Sequence, residues 1–371
     1  MREIHIVFGG LAAKNFILPI SKSSINESLI FYQMSNKNDI LKIEGVKSFP
    51  YWFNLKISPK LNIFTLIKSL LYLSRLLKKY DNYKLITHMT SYSLFPLLVA
   101  FFLRIKNRVY FNHGFAHIGS KGIIKIILFI LEFLNCLMAT NIITVSPSHL
   151  EFIKKGLIAN KRNIKTTLPG SCSGIDLSKL ISKDDLKKKC LSISNSDNII
   201  YLSYIGRPYF RKGFPFILEI FENIKKEMPS RKIILQVIGI KKEKIFEELN
   251  NKKYFNSIET IEQTNDVFFY LRKSVITILP SIREGFGYAL LEGATSGNAL
   301  ITFNMLGPDS LVKNNHNGLL IKYGSKPNVF ANEICKLISK PEKLKFLMNN
   351  SRQSAKEFDK DIVLKSLREI L

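Results

Sequence analysis

The sequence predicts an α/β chain of two doubly wound parallel-sheet domains, and three observations carry that expectation. Short, β-branched apolar runs alternate with helical segments along the chain, the pattern of parallel strands covered by helices on both faces. The alternation lapses in a polar, lysine-rich stretch, Ser178–Asn198, and then begins again, so this stretch is the candidate interdomain connection. Glycines and basic residues follow several strands, at the carboxyl ends where open α/β sheets hold ligands. The expected domains are residues 1–180 and 181–355, with 356–371 a C-terminal helix packing back toward the first. A length of 371 residues fits two domains at about 150 residues each.

The first series opens with Ile4–Phe8 as a strand running into Gly9-Gly10. Helix signals follow at Ala12–Ser21, and Ser28–Gln33 reads as a second strand. Ser58–Lys79 is the most periodic segment. Ile63, Ile67, Leu70, Leu73 and Leu77 fall at spacings of three and four, with Leu66 on the same stripe. Its other face carries Lys60, Lys68, Arg75, Lys78 and Lys79, with Tyr51, Trp52 and Phe53 upstream and Phe64 and Leu71 on the boundary. A basic amphipathic helix of this kind can lie on an anionic leaflet, and an ordinary surface helix is the rival reading.

Strands are then expected at Lys84–Thr87, Arg108–Phe111, Asn141–Val145 and Ile164–Leu168. Helices are expected at Ser93–Leu103, Ile123–Met138 and Pro147–Gly156, the last with Ser146 as N-cap. In the second series, strands at Ile199–Ile205, Lys232–Ile238, Val275–Leu279 and Ala299–Thr302 interleave with helices at Gly213–Glu227, Glu243–Asn250, Val267–Leu271 and Tyr288–Ser296. Helices at Asn328–Ile338 and Pro341–Asn349 close it.

Charge narrows the partners. The net charge is +26, and residues 1–180 hold 24 Lys and Arg against 8 Asp and Glu, or +16. Such an excess favours phosphates or an anionic membrane surface. Cys136, Cys172, Cys190 and Cys335 are scattered without CxxC spacing, which argues for a reducing compartment and against structural zinc. The N-terminus has too short an apolar core for a signal peptide, and no run reaches ~18 apolar residues. Leu94–Leu103 and Ile123–Ala139 come nearest and read as buried or interfacial helices. A cytoplasmic chain, peripheral on a membrane, is expected.

Three constellations carry chemistry. The first is Val275–Ile301: a buried strand, a loop with Gly285, Phe286 and Gly287, and a helix closed by Gly297. Glycines there let a backbone approach a ligand, and a helix N-terminus opening from them favours a phosphate. Glu284 and Glu292 bracket the turn and suit sugar hydroxyls better than phosphates. A plain strand-loop-helix with an early acid is the alternative. The second is Ile205–Phe214, where Arg207 and Lys212 can clamp a diphosphate, with Arg211 a solvated neighbour. A basic loop in a basic protein is its alternative. The third is Asn112-His113-Gly114, a histidine at a strand end that can meet a sugar hydroxyl or assist at the reacting centre. A lone histidine is often structural, as His5, His88, His149 and His316 are read to be; His117 stays unassigned. Pro169–Asp176 reads equally as a cleft lining or a hinge. No DxD stands at a strand end and no GxSxG occurs, so neither a metal site nor a nucleophilic triad is expected.

These residues resemble the retaining glycosyltransferases of family 4. GRPYFRKG, Gly206–Gly213, is similar to their GR-x4-KG element, and EGFGYALLE, Glu284–Glu292, to their E-x7-E motif. Pro280-Ser281 and Gly307–Ile321 fit the usual continuation. In the first half the likeness is limited to Gly9-Gly10, Asn112-His113-Gly114, Ser146 and Gly174-Ile175-Asp176. The resemblance implies a GT-B fold: two Rossmann-like domains facing a cleft, the acceptor on the first and the nucleotide-sugar donor on the second; a UDP-sugar is the expected donor.

Carried over residue by residue, Arg207 and Lys212 neutralise the leaving diphosphate and Glu284 holds donor-sugar hydroxyls. Gly285, Phe286 and Gly287 lie near the phosphates, and Glu292 binds the ribose. His113 sits at the 6-position side of the sugar, and Gly10 lines the phosphates. The resemblance implies transfer with retention, no metal or other cofactor, and a saccharide acceptor, lipid-diphosphate-linked, in bacterial surface-polysaccharide synthesis. The sequence departs from the family at Pro308-Asp309, where a proline-glutamate is usual, and at Leu11-Ala12-Ala13, where an acid usually follows the first glycines. Two rivals remain. A sugar-nucleotide 2-epimerase of the same architecture would want more cleft acids in the first half. A basic nucleic-acid-binding protein would want aromatic–basic interleaving, which is missing, so nucleic acid is not an expected partner.

Overall fold

A computed structural model describes residues 2–8, 17–23, 28–33, 46–49, 63–156, 163–195 and 197–371. The chain forms two compact units, Met1–Ser173 with Val363–Leu371, and Gly174–Ile362. The boundary falls seven residues before the expected one at 180. The polar stretch after it is no linker, because Lys183–Ile193 is a helix whose Leu186, Cys190 and Ile193 are buried with Ile181 in the second unit's core. Ser182 caps that helix by accepting from the Asp185 amide. Its charged residues other than Lys189 are the outer face of an amphipathic helix, and this is what makes the stretch read as solvent-exposed.

In the first unit the described strands are β1 (Arg2–Phe8), β2 (Ser28–Gln33), β3 (Val46–Phe49), β4 (Tyr83–His88), β5 (Asn107–Asn112), β6 (Asn141–Thr144) and β7 (Asn163–Thr166). They form one parallel sheet in the order β3-β2-β1-β4-β5-β6-β7. The helices are α1 (Leu18–Ser23), α2 (Ile63–Lys78), α3 (Thr90–Phe102), α4 (Gly122–Met138) and α5 (Pro147–Lys155). The Ser146 side chain caps α5 as expected, accepting from the His149 amide. Ile4, Ile6, Leu73, Leu77 and Leu85 form one core, and Leu97, Tyr110 and Ile142 belong to another.

Helix α2 only half matches its predicted stripe. Leu73 and Leu77 are buried, whereas Ile67 and Leu71 are exposed. Lys60, Tyr51, Trp52 and Phe53 lie outside the described residues, as does the expected helical stretch before Ile17.

The second unit repeats the plan with β8 (Ile200–Ile205), β9 (Ile233–Ile238), β10 (Ile258–Ile261), β11 (Ser274–Leu279), β12 (Ala299–Phe303) and β13 (Gly318–Ile321). All are parallel, in the order β10-β9-β8-β11-β12-β13. Its helices are α6 (Lys183–Ile193), α7 (Phe216–Glu227), α8 (Lys242–Glu248), α9 (Val267–Leu271), α10 (Tyr288–Thr295), α11 (Pro327–Ile338) and α12 (Pro341–Ala355). The last helix, α13 (Lys360–Ile370), starts in this unit, and its residues from Val363 onward belong to the first. In both sheets the order reverses beside the first strand of the series, which opens a crevice at neighbouring carboxyl ends. In the second unit that point lies between β8 and β11.

Candidate active site

Strand β11 is buried from Ser274 to Leu279, which is why its sequence is unbroken by exposed polar positions. Its neighbour β8 ends at Ile205, and loops 206–213 and 280–287 leave these two strand ends side by side. Three contacts stitch them together. The Ile282 amide donates to the Arg211 carbonyl at 3.0 Å. Gly213, at φ 79°, lies so close to Pro280 that a Cβ would collide with the proline's backbone. Lys212 Nζ donates to both oxygens of Glu284, at 2.7 and 2.9 Å.

The glycine of the Lys-Gly pair thus serves loop contact, and the lysine and acid of two distant motifs form one charged pair. Glu284 is 9% exposed. Tyr204 supports the same corner, its buried hydroxyl donating to the Lys212 carbonyl at 3.1 Å. Gly206 leaves no space for a side chain, since a Cβ would lie 2.5 Å from that hydroxyl.

Gly287 begins α10 in the left-handed region, φ 94° and ψ 60°, with no side-chain cap. The positive end of the helix dipole therefore faces the loop that carries Gly285 and Phe286. Gly307 braces that loop: a Cβ on it would approach the Gly285 carbonyl oxygen to 2.6 Å. The segment that departs from the family pattern thus keeps a structural glycine, and Pro308–Ser310 follow as one short helical turn. Glu292, in the second turn of α10, is half-buried, and burial pushes its carboxyl up to about 7. Arg207 stands exposed on the loop after β8, with no side-chain partner among the described residues.

The first unit places its histidines together. Strand β4 ends at His88 and β5 at Asn112, next to His113. His5 Nδ1 lies 3.1 Å from His88 Nε2, and His88 Nδ1 lies 2.9 Å from His113 Nε2, a buried hydrogen-bonded chain of three rings. Phe111 stacks on His113 with centroids 4.7 Å apart. Burial pushes the His113 imidazole down to about 4, and burial with the adjoining histidines lowers His88. His113 is therefore neutral near pH 7. With Nε2 engaged by His88, it has Nδ1 left to meet a ligand.

Asn112 sets the turn, accepting from the Gly114 amide at 2.7 Å and donating to the Tyr110 hydroxyl at 3.0 Å. His5 and His88, read as merely structural, hold the candidate ligand histidine. The signal for them was only that both occupy strands that pair with one another. His117 instead meets Glu132 at 2.5 Å. Gly10 lies outside the described residues. Lys189, hidden in the polar stretch, is buried and donates to the Ser296 carbonyl at 2.9 Å beyond the end of α10. Burial lowers its ammonium to about 7.

Residues 185–354 match the family of glycosyl transferases group 1. An Escherichia coli UDP-Gal:alpha-D-GlcNAc-diphosphoundecaprenol alpha-1,3-galactosyltransferase is 26% identical over 82% of this chain and 78% of its own. A Campylobacter jejuni N,N'-diacetylbacillosaminyl-diphospho-undecaprenol alpha-1,3-N-acetylgalactosaminyltransferase is 23% identical over 98% of this chain and 96% of its own. The solved structure of Anabaena HepE in complex with UDP and glucose superposes with a TM-score of 0.73 at 17% identity, covering 100% of this chain and 98% of that one. The fold is accordingly the two-domain α/β architecture of the GT-B glycosyltransferases, and the match to glycosyl transferases group 1 falls within its second unit.

Proposed function

We propose that this protein is a retaining glycosyltransferase that moves a sugar from a UDP-sugar to a lipid-diphosphate-linked saccharide. It would do so on the inner face of a bacterial membrane, during surface-polysaccharide synthesis. The observation that carries the reading is the Lys212–Glu284 pair, fixed between two stitched loops at the strand-order reversal of the second sheet. Arg207, exposed and unpaired among the described residues, and Lys212 would neutralise the departing diphosphate beside the start of α10. Glu284 would accept from sugar hydroxyls, with Gly285, Phe286 and Gly287 bringing backbone amides to the phosphates. Glu292 would hold the ribose. His113 would meet the sugar from the first unit, and Gly10 would line the phosphates.

The acceptor hydroxyl attacks the anomeric carbon on the face the diphosphate leaves. The new glycosidic bond forms as the carbon–oxygen bond to phosphate breaks, and the hydroxyl proton passes to the departing phosphate oxygen. The substrates for which these relatives are named, undecaprenol-diphosphate-linked sugars, support this acceptor class.

Turnover of UDP-, GDP- and ADP-sugars with a lipid-diphosphate acceptor, in chelator, tests the reading. The expected result is UDP-sugar turnover with the anomeric configuration retained by NMR. Glu284→Ala should lower it at least ~100-fold while circular dichroism stays unchanged. Full activity in that variant, or no turnover of any nucleotide-sugar, refutes it.

A further inference from the structure

Helix α4 is built inside out. Two polar residues of its C-terminal half face inward: Glu132 is 3% exposed and Asn135 0%. Its outer side carries Ile123, Ile126, Phe129, Ile130, Phe133 and Leu137, each between 38 and 67% exposed. At 100° per residue these six fall within about 120° of arc, so they form one stripe. Ordinary surface helices place such a stripe against the core, and a contiguous apolar face left outside marks an interaction surface.

The helix is held in this orientation by hydrogen bonds. Glu132 accepts from Thr90 Oγ1 at 3.0 Å, from the Ala116 amide, and pairs with His117 Nδ1 at 2.5 Å. Asn135 donates to the Thr90 carbonyl at 2.6 Å. Rolling the helix to hide its apolar side would break all of these and expose a buried carboxylate.

Charge selects the partner. Lys121 and Lys125 are exposed at the N-terminal end of α4, and Glu132 is the helix's sole acid. The apolar surface continues onto Phe152 of α5, 41% exposed, whose ring and that of Phe129 both pack on His117. Lys154 and Lys155 follow Phe152, and the nearby Glu151 is paired with Lys154 at 3.8 Å. Residues 104–155 hold seven Lys and Arg against two Glu. A second copy of the chain would bring like charge to this rim, whereas acidic headgroups complement it. Among the described residues no helix is long and apolar enough to cross a membrane, so a bilayer meeting this face would hold it in the interface plane.

We infer that the outer face of α4, with Phe152, is a docking surface for an anionic lipid bilayer. It rests on the proposed function only in supplying the reason for a membrane, the lipid-linked acceptor. Its test needs no sugar.

The full chain is floated with vesicles of phosphatidylglycerol and phosphatidylethanolamine, and with vesicles of phosphatidylcholine alone. Binding is expected to the first at low salt. The triple variant Ile126→Ser, Phe129→Ser, Phe133→Ser should lower the partition coefficient roughly a hundredfold, with its circular dichroism unchanged because all three are exposed. Lys121→Glu with Lys125→Glu should weaken binding to the anionic vesicles without removing an apolar group.

Failure of the wild-type chain to bind overturns the inference. So does undiminished binding by the triple variant, which would move the surface to α2. So does a wild-type dimer that the triple variant converts to monomer with vesicle binding unchanged. Vesicle binding without nucleotide-sugar turnover would sink the transferase reading alone, and turnover without vesicle binding would sink this one.

Discussion

Glu284 is gripped by Lys212 while Glu292, eight residues on, has no charged partner among the described residues, and the two acids differ accordingly. A carboxyl raised to about 7 from an ordinary 4.5 binds more protons in the folded than in the unfolded chain between those values. Its contribution is therefore fully present below pH 4.5 and is lost as pH rises through 7. Urea unfolding of the wild type and of Glu292→Gln at pH 5 and pH 8 isolates it. The wild type should lose about 2–3 kcal/mol more than the variant over that interval. Equal losses would mean that the Glu292 carboxyl is solvated.

The same residues show what a sequence can and cannot reveal at this scale. Arg207, Lys212, Glu284 and Glu292 stand out because charged groups beside glycines at strand ends are uncommon in a core-forming stretch. The Lys212–Glu284 contact was not legible, because 72 residues separate its partners. His5 and His88 resemble strand filler until the register aligns them, His5 against Ile86 on β4 and His88 against Phe111 on β5.

At the scale of elements, the two loops of the second unit work as one piece, and Gly213 is its seam. The residue has a φ of 79° and Pro280 occupies the space a Cβ needs. Gly324, with a φ of 82° and nothing within 4 Å, has the same backbone cost without the collision. Gly324→Ala should cost about 1 kcal/mol, and Gly213→Ala about 3 kcal/mol, since overpacking adds to backbone strain. Chemical denaturation of the two variants gives the difference, and equal costs would show that the loops part without penalty.

Long, periodic or unbroken elements such as α4 and β11 are legible because their patterns are local. The strand Val46–Phe49 escapes notice, since VKSF is short and half polar. Helix α6 reads as a connection because a small apolar stripe of Leu186, Cys190 and Ile193 is diluted by lysines. Lys189 is the instructive case: a lysine in a lysine-rich run reads as solvated, yet it is the one whose ammonium reaches the Ser296 carbonyl.

At the scale of the molecule, the chain passes between the units twice, at 173/174 and 362/363. The two passages run side by side. The Ile175 amide donates to the Phe358 carbonyl at 2.8 Å, and the Lys360 amide to the Ile175 carbonyl at 2.9 Å. Gly174, at φ 63°, has the Lys360 backbone where a Cβ would stand. Beyond them, Val363, Leu364 and Leu367 are buried, and Ser366 Oγ accepts from the Leu168 amide at 2.9 Å.

The last nine residues are therefore part of the first unit's fold although the second unit precedes them. Deleting Val363–Leu371 removes three buried aliphatic side chains, which should lower the stability of the first unit by about 4 kcal/mol or more. The second unit, whose core contains none of the three, should keep its own transition.

The described strands give each unit its own probe, the amides of β1, β4 and β5 for the first and of β8, β9 and β11 for the second. If the second unit holds the nucleotide as proposed, UDP added at 100 times its dissociation constant should raise that unit's transition by about 2.7 kcal/mol. Hydrogen exchange of those amides across a urea series should then show the first unit's midpoint lowered by the truncation and the second unit's unchanged by it. A truncated chain whose first-unit midpoint stays where the full chain's lies would show that the C-terminal helix is dispensable to the first unit.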